Sequence, residues 1–156
     1  MAKEHTYAAV VTWTGNRGRG TADYKTYTRD YEIICADKSP IKGSADPAYL
    51  GDAGRHNPED LLVAALSACH MLWYLHLCAA SKVVVTAYED AAEGVMRTSP
   101  DGSGEFTGVS LKPRVTISAG SDPETAEALH EKAHAMCFIA RSVNFPVSHQ
   151  AEIVRG

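Results

Sequence analysis

Segments rich in β-branched and aromatic residues alternate with segments of helical pattern along the chain. Residues Tyr7 to Thr14 and Thr21 to Ala36 have the composition of strands, and residues 15–20 between them hold three glycines and two arginines. This order predicts a β-hairpin with a long, basic tip. Residues 37–56 hold several prolines and glycines, so we expect a loop there, with room for a short strand or turn.

Two helices are predicted to begin at the same kind of capping sequence. Residues 57–60 (Asn-Pro-Glu-Asp) and residues 122–124 (Asp-Pro-Glu) each combine a strong N-cap, a proline for the first helical position and an acid for the first turn. The first helix should run to about Ala80 and, being apolar on all sides, should be central and buried. The second should run to about Ser142, with an apolar stripe of Leu129, Ala133, Met136, Cys137 and Ala140.

The first helix is long enough to span a membrane, but polar side chains interrupt it. Ser67, His70 and His76 lie within the apolar run, and two acids precede it. A buried core helix is therefore favoured over a membrane span.

Four more strand-like segments complete the pattern, at Val83–Tyr88, Val95–Ser99, Phe106–Ser118 and Phe145–Val154. The order of strands, helix, strands, helix and strand predicts an α+β fold with a mostly antiparallel sheet. The length of 156 residues suits a single domain, residues 1–156.

Composition and charge narrow the function classes. The chain is 45% hydrophobic and carries a formal net charge of −4, as expected for an ordinary globular protein. A mildly acidic chain has no general electrostatic reason to bind nucleic acid or an anionic membrane. The polar N-terminus lacks the apolar segment of a secretory signal, so we expect a cytoplasmic protein with reduced thiols.

Four cysteines carry the candidate chemistry. Cys69 and Cys137 each lie within a predicted helix, on or near an apolar face, whereas Cys35 and Cys78 have no distinctive neighbours and are expected to serve packing. Free cysteines often pack as small hydrophobes, so composition and periodicity alone favour packing for all four. A chemical role needs a thiolate, and hence a nearby cation.

Three arginines are candidates for that cation, namely Arg17, Arg19 and Arg55. Arginine stays charged when partly buried, and its planar group can serve a thiolate and a carboxylate together. Glu59 in the first helical turn is the natural carboxylate to orient it. The simpler interpretation of Arg17 and Arg19 is that they are solvated charges on a loop.

Metal and nucleotide chemistry have weaker signals. The chain has no Cys-x-x-Cys motif, and residues 15–20 match neither the phosphate loop nor the dinucleotide fingerprint. His130 and His134 are four residues apart and could hold a metal, but solvent-facing side chains are the simpler expectation. His70 follows Cys69 but points about 100° away around the helix, which disfavours a Cys–His dyad.

Three motifs occur in order along the chain: residues 13–21 (WTGNRGRGT), residues 55–70 (RHNPEDLLVAALSACH), and residues 133–141 (AHAMCFIAR) followed by Phe-Pro-Val at 145–147. Together they resemble the OsmC/Ohr family, the osmotically inducible and organic hydroperoxide resistance proteins, a group of thiol peroxidases. The similarity spans essentially the whole chain.

The resemblance implies a role for each matched residue. Cys69 corresponds to the peroxidatic cysteine and Cys137 to the resolving cysteine, which form an intramolecular disulfide. Arg17, or Arg19 if the loop aligns differently, corresponds to the arginine that stabilises the thiolate, and Glu59 to the carboxylate that holds it. The family fold is an intertwined homodimer with active sites at the subunit interface.

The resemblance also implies the reaction and its partners. The expected activity is reduction of organic hydroperoxides, with hydrogen peroxide as a second candidate substrate, in oxidative stress defence. It needs an external dithiol reductant, of lipoyl or another type, and no metal or prosthetic group. Apolar neighbours could line the peroxide pocket, namely Leu66, Met71, Leu72, Trp73 and Phe138.

Departures from the better-characterised branches indicate a separate subgroup. They lie at residues 37–55, at residues 142–146 and in the bulky side chains His70, Trp73, Tyr74 and His76. Two alternatives remain open at the sequence level. One is a non-catalytic dimeric scaffold or small-ligand-binding protein of the same fold with structural cysteines, and the other is a histidine–cysteine metal protein.

Overall fold

A computed structural model describes all residues from 1 to 156. The chain forms two compact units, Met1–Leu61 and Leu62–Gly156, and the boundary falls within the first long helix. It has the expected α+β composition, with two long helices and three small sheets.

The first unit is built on a three-stranded antiparallel sheet. Its strands are β1 (Val10–Trp13), β2 (Tyr31–Ile34) and β3 (Ile41–Gly43), in the order β1-β2-β3. The predicted hairpin is confirmed, but its second strand is shorter than predicted, because residues 20–27 form turns and bends. The hairpin tip is therefore longer than expected.

Close backbone contacts shape the base of this tip. A hydrogen bond runs from the Thr28 amide to the Gly15 carbonyl, and the Trp13 indole donates to the Thr28 carbonyl at 2.8 Å. A Cβ atom at Gly15 would lie 2.0 Å from that same carbonyl oxygen. Only glycine allows the two arms to approach this closely.

The first long helix, α1 (Pro58–Ala80), begins where its capping sequence predicts. The Asp60 amide donates to the Asn57 side chain at 2.8 Å, and the Asn57 amide donates to the Asp60 carboxylate at 3.2 Å. These reciprocal bonds satisfy amides that a helix start leaves without partners.

Burial of α1 follows one stripe of helical spacing, formed by Leu66, His70, Tyr74, Leu77 and Cys78. The expected burial holds along this stripe, while other apolar side chains of the helix are open in the single chain, Leu72 being 62% exposed. By length and composition alone α1 could cross a membrane, a criterion that core helices of soluble proteins also meet.

The second unit contains two three-stranded sheets. One has the order β4 (Val85–Asp90), β7 (Pro113–Ile117) and β9 (Glu152–Arg155), and the other β5 (Glu93–Thr98), β6 (Gly104–Leu111) and β8 (Val147–His149). In each sheet the first pair is antiparallel and the second is parallel. Over all three sheets four of the six strand pairings are antiparallel, in agreement with the predicted mostly antiparallel arrangement.

Two predicted long strands are wrong, because each is divided between the two sheets. The segment Phe106–Ser118 breaks at Lys112, before a proline that cannot donate a ladder hydrogen bond, and the Lys112 amide donates instead to Asp90. The segment Phe145–Val154 breaks at residues 150 and 151. Each break moves the chain from one sheet to the other.

The second long helix, α2 (Pro123–Met136), begins at Asp122 as predicted, where the carboxylate accepts from the Thr125 amide at 3.0 Å. It ends six residues before the predicted Ser142. Cys137 is its C-cap, with extended backbone (ψ 114°), and a short 3-10 turn follows at Ala140–Ser142. The chain leaves the helix here and packs Ile139, Ala140 and Val143 against the core residues Leu66, Val109 and Leu111.

Candidate active site

Cys69 and Cys137 are brought together from positions 68 residues apart in sequence. Cys69 lies half-buried on α1, and Cys137 is buried at the end of α2. The two thiols are close enough that Cys69 contributes to raising the pKa of Cys137. No disulfide joins this pair in the structure, in which all four cysteines are free.

The two thiols differ in their surroundings. Burial raises the pKa of the Cys137 thiol to about 11, and Cys69 adds to the rise, whereas hydrogen bonds from the amides of Ala140 and Ile139 lower it. Cys137 is therefore a protonated thiol near neutral pH. The prediction that Cys137 lies well inside a helix is wrong, because α2 ends at Met136. The two amides that lower its pKa belong to the turn that follows.

An apolar pocket is lined by side chains of α1 that follow Cys69 in sequence. Leu72, Trp73 and His76 line a shallow cavity of about 220 Å³. The Trp73 ring meets Phe138 edge to face, with ring centroids 5.4 Å apart, and the Phe138 side chain is 65% exposed. Of the predicted pocket residues, Leu72 and Trp73 line this cavity, whereas Leu66 belongs to the buried core.

The predicted cation and its carboxylate belong to the first unit. Arg17 and Arg19 lie exposed in the hairpin tip, where the Asn16 side chain accepts hydrogen bonds from the amides of Gly18 and Gly20. Glu59 lies in the first turn of α1. With Asp60 it raises the pKa of Tyr31, after the larger effect of burial.

Arg55, the third candidate cation, is engaged elsewhere. Its guanidinium lies 3.8 Å from the Asp30 carboxylate and 3.7 Å from that of Asp52. Arg17 and Arg19, by contrast, form no ion pair within the single chain.

The expectation of a solvent-facing His130 is wrong. The residue is only 1% exposed, and its Nδ1 lies 3.0 Å from Nε2 of His70, which is equally buried. The sequence signal was available, because small residues at 126 and 133 flank His130 at helical spacing and form the buried stripe of α2. The bond to His130 engages His70 on the core side of α1. No group of three or more histidine, cysteine, aspartate or glutamate side chains is arranged to hold a metal ion.

Comparison with known families identifies the family of this chain. A family model described as OsmC-like protein matches residues 51–152. The chain belongs to the OsmC-like family.

Solved structures agree with this membership. An OsmC-like protein of unknown function from Vibrio cholerae is 33% identical, with a TM-score of 0.87 over 96% of this chain and 100% of that one. A comparison with curated protein sequences finds no match.

More distant OsmC-like structures share the fold. An organic hydroperoxide resistance protein from Legionella pneumophila is 20% identical, with a TM-score of 0.68 over 98% of this chain and 99% of that one. Another, from Elizabethkingia anophelis with thiocyanate bound, is 18% identical, with a TM-score of 0.70 over the whole of both chains. The family thus includes proteins of hydroperoxide resistance.

Proposed function

We propose that this protein is a cysteine-based peroxidase that reduces organic hydroperoxides to alcohols. The observation that carries the proposal is the pairing of Cys69 with Cys137, two free thiols placed next to one another. An apolar pocket on the same helix as Cys69 supports it. Packing alone explains Cys78, which is buried among core residues, but it does not explain two adjacent thiols, one of them half-buried.

The first step assigns the nucleophile to Cys69. Its thiolate attacks the distal oxygen of ROOH, the O–O bond breaks, and the alcohol leaves after taking up a proton, so that Cys69 becomes a sulfenic acid. Cys69 suits this role better than Cys137, because Cys137 is buried and its pKa is raised to about 11. A protonated thiol is a poor nucleophile.

The second step assigns resolution to Cys137. Its sulfur displaces hydroxide from the Cys69 sulfenic acid, and the proton of Cys137 leaves with it as water, which gives a Cys69–Cys137 disulfide. The amides of Ile139 and Ala140 support this step, since they stabilise negative charge on the Cys137 sulfur as it attacks. An external dithiol, of lipoyl or another type, then returns both cysteines to thiols by exchange.

Arg17 and Glu59 complete the proposed site. An arginine beside Cys69 would stabilise the thiolate and the charge that develops on the peroxide oxygens, and Glu59 would orient it. The proposal takes Arg17 from the second copy of a homodimer, with Arg19 as the alternative. The exposed, unpaired position of both arginines in the single chain favours this arrangement.

The proposed substrate and setting follow from the pocket and the chemistry. The apolar side chains of Leu72, Trp73 and Phe138 favour an organic hydroperoxide over hydrogen peroxide. The reaction needs no metal or prosthetic group, and it needs a compartment that supplies reduced dithiols, such as the cytoplasm. The role would be defence against oxidative stress.

Replacement of the nucleophile tests the proposal. Cys69→Ser should lower consumption of an organic hydroperoxide, with a dithiol present, by on the order of a hundredfold or more, because no other thiolate takes its place. Cys78→Ala is the matched control, since it removes a thiol from the same helix outside the pair, and it should consume peroxide like wild type. Equal activity of Cys69→Ser and wild type, or an inert wild type, would overturn the proposal.

A further inference from the structure

Four histidines of the second unit form a cluster that the proposed chemistry does not use. His70 comes from α1, His130 and His134 from α2, and His149 from β8. The rings of His70 and His130 are parallel within 4°, with centroids 5.3 Å apart, and His149 lies 5.5 Å from His70 and 5.7 Å from His134. Three elements thus meet through imidazole rings.

The inner pair of this cluster joins the two long helices. His70 and His130 share a hydrogen bond of 3.0 Å, Tyr74 stacks on His130 with centroids 3.8 Å apart, and the Tyr74 hydroxyl donates to the Ala126 carbonyl. Cys69 directly precedes His70 on α1, and Cys137 follows His130 by seven residues, at the end of α2. The contacts that hold the helices together therefore also hold the two thiols together.

No carboxylate is in ion-pair contact with the inner pair. Asp90, on β4, is the acid that acts on His70, but its two oxygens accept from the Ser67 hydroxyl at 2.5 Å and the Lys112 amide at 2.6 Å. Glu131, on α2, pairs with His149 at 3.2 Å. A proton taken up by His70 or His130 would thus be a buried charge without a carboxylate in contact, and Asp90 offsets it only partly.

Burial sets the protonation state of the pair. It lowers the pKa of His70 to about 4, with His149 and His134 adding to the decrease and Asp90 opposing it. It lowers the pKa of His130 to about 3, with His70 and His149 adding. Both rings are neutral near pH 7.

Proton counting shows what acid does to the contact. The neutral pair has two protons for four ring nitrogens, one of them in the shared bond. A third proton keeps the bond but leaves a buried charge, and on Nε2 of His130, which has no partner, it leaves a donor without an acceptor. A fourth proton puts N–H against N–H and removes the bond.

We propose that His70 and His130 form a pH-operated clamp that positions the two cysteine-bearing helices. Protonation of the pair separates the helices, and Cys69 and Cys137 then no longer form a disulfide. The consequence for turnover rests on the proposed peroxidase function, but the clamp concerns thiol proximity and is testable without peroxide.

The test replaces the titratable pair with amides that keep a polar atom in each position. In His70→Gln the amide reaches the position of Nε2, and in His130→Asn it reaches that of Nδ1, so the double variant H70Q/H130N can keep the bond without titrating. His5→Gln, in the exposed N-terminal segment, is the matched control. All carry Cys35→Ser and Cys78→Ala, which leave the pair as the remaining thiols.

Disulfide closure is followed with 2,2′-dipyridyl disulfide. Cys69 displaces one pyridinethione to form a mixed disulfide, and Cys137 then displaces the second and gives up its proton. The two cysteines are oxidised by two electrons in total, and the reagent is reduced to two thiones. The rate at which the second thione is released measures closure. The ratio of this rate in the variant to that in wild type removes the effect of Cys137 protonation, which is common to both.

The clamp predicts rates that diverge in acid. Wild type and H70Q/H130N should close within about twofold of each other near pH 7.5. Wild type should be slower by about tenfold or more near pH 3, one pH unit below the pKa of His70. His5→Gln should follow wild type. Parallel rate–pH profiles for wild type and H70Q/H130N would overturn the clamp. A His5→Gln control whose profile matches that of H70Q/H130N would overturn it too.

A direct measurement covers the case in which the double variant fails to fold. Nitrogen-15 shifts of the wild-type imidazoles should show His70 and His130 taking up protons over the pH range in which closure is lost. Closure that fails while both rings stay neutral would overturn the clamp. If Cys69→Ser consumes peroxide like wild type, the peroxidase proposal fails. The thione assay then still reports on the clamp, because it uses no peroxide.

Discussion

At the level of single residues, burial supports different proposed roles for the two thiols. Cys137 is enclosed at the end of α2, where burial raises its pKa to about 11, while Cys69 is half-buried one helix away. A thiol that is hidden and protonated is protected from adventitious oxidation and becomes reactive when a neighbouring sulfur is already electrophilic. The division of labour follows from position.

Removal of Cys137 should therefore stop the cycle after its first step. In Cys137→Ser one equivalent of organic hydroperoxide should still be reduced, but Cys69 should remain a sulfenic acid and steady-state turnover should fall by on the order of a hundredfold. Dimedone labelling with mass spectrometry reads the trapped species. Unchanged turnover in Cys137→Ser would remove its resolving role, and Cys35→Ser serves as the control.

Two tyrosines with buried hydroxyl groups differ in whether the hydroxyl has a hydrogen-bond partner. The Tyr74 hydroxyl donates to the Ala126 carbonyl at 2.8 Å, whereas the buried Tyr88 hydroxyl has no partner. Tyr74→Phe should lower the free energy of unfolding by about 1 kcal/mol, since it removes a buried hydrogen bond to the Ala126 carbonyl. Tyr88→Phe should be neutral or stabilising. Urea unfolding compares them, and equal losses would contradict this assignment.

At the level of elements, helix starts were predictable because their signals are local. The side chains of Asn57 and Asp122 cap the amides three residues on in sequence, so the pattern and the contact coincide. Helix α2 ends for a non-local reason. Its chain turns away after Met136 because Ile139 packs against a core formed by other elements. The early end of α2 was therefore outside what periodicity reveals.

The same distinction explains the divided strands and the missed histidines. Residues on both sides of Lys112 have strand composition, but the partner strands that assign them to different sheets are distant in sequence. His130 looked like a surface residue because its neighbours Glu127 and Glu131 are acidic. Its true partner, His70, lies 60 residues away.

A cap substitution tests the local signal. Asp122→Ala should lower the free energy of unfolding by about 1 kcal/mol, because the Thr125 amide loses its acceptor. Asp122→Asn keeps an acceptor oxygen in place and should cost much less. Chemical denaturation followed by circular dichroism measures both, and an equal loss in the two variants would show that the charge, rather than the hydrogen bond, provides the stabilisation.

The packing of α1 on α2 should also be sensitive to acid. His70 and His130 have pKa values of about 4 and 3 in the folded chain, below the ordinary 6.5, so the unfolded chain binds protons that the folded chain excludes. Their contribution to stability is complete above pH 6.5 and is lost as pH falls towards 3. The slope should reach up to about 1.4 kcal/mol per pH unit for each ring. H70Q/H130N should have a flatter profile in urea titrations at several pH values.

At the level of the whole molecule, the single chain leaves apolar surface uncovered. Strand β1 is exposed along its full length, with Val11 64% exposed, and α1 carries open apolar side chains outside its buried stripe. Exposed apolar surface of this kind favours association. Together with family membership, it supports the proposal that the working unit is a homodimer.

Light scattering coupled to size exclusion tests the assembly. Wild type should elute with the mass of two 16.8-kDa chains. Val11→Lys should shift the population towards monomer, because a charge on that face would lose its hydration on association. Lys38→Glu, in the exposed turn after β2, is a control for a change in net charge away from β1. A monomeric wild type, or a dimer indifferent to Val11→Lys, would contradict the dimer proposal.

We propose above all that Cys69 and Cys137 form one redox couple, and peptide mapping of the oxidised protein tests this pairing. The fully reduced protein is treated with one equivalent of an organic hydroperoxide, quenched in acid, and digested without reduction. We expect one equivalent of alcohol and a disulfide-linked peptide pair containing Cys69 and Cys137. A protein that leaves the hydroperoxide intact, or one in which Cys69 is oxidised while Cys137 remains a free thiol, would contradict it.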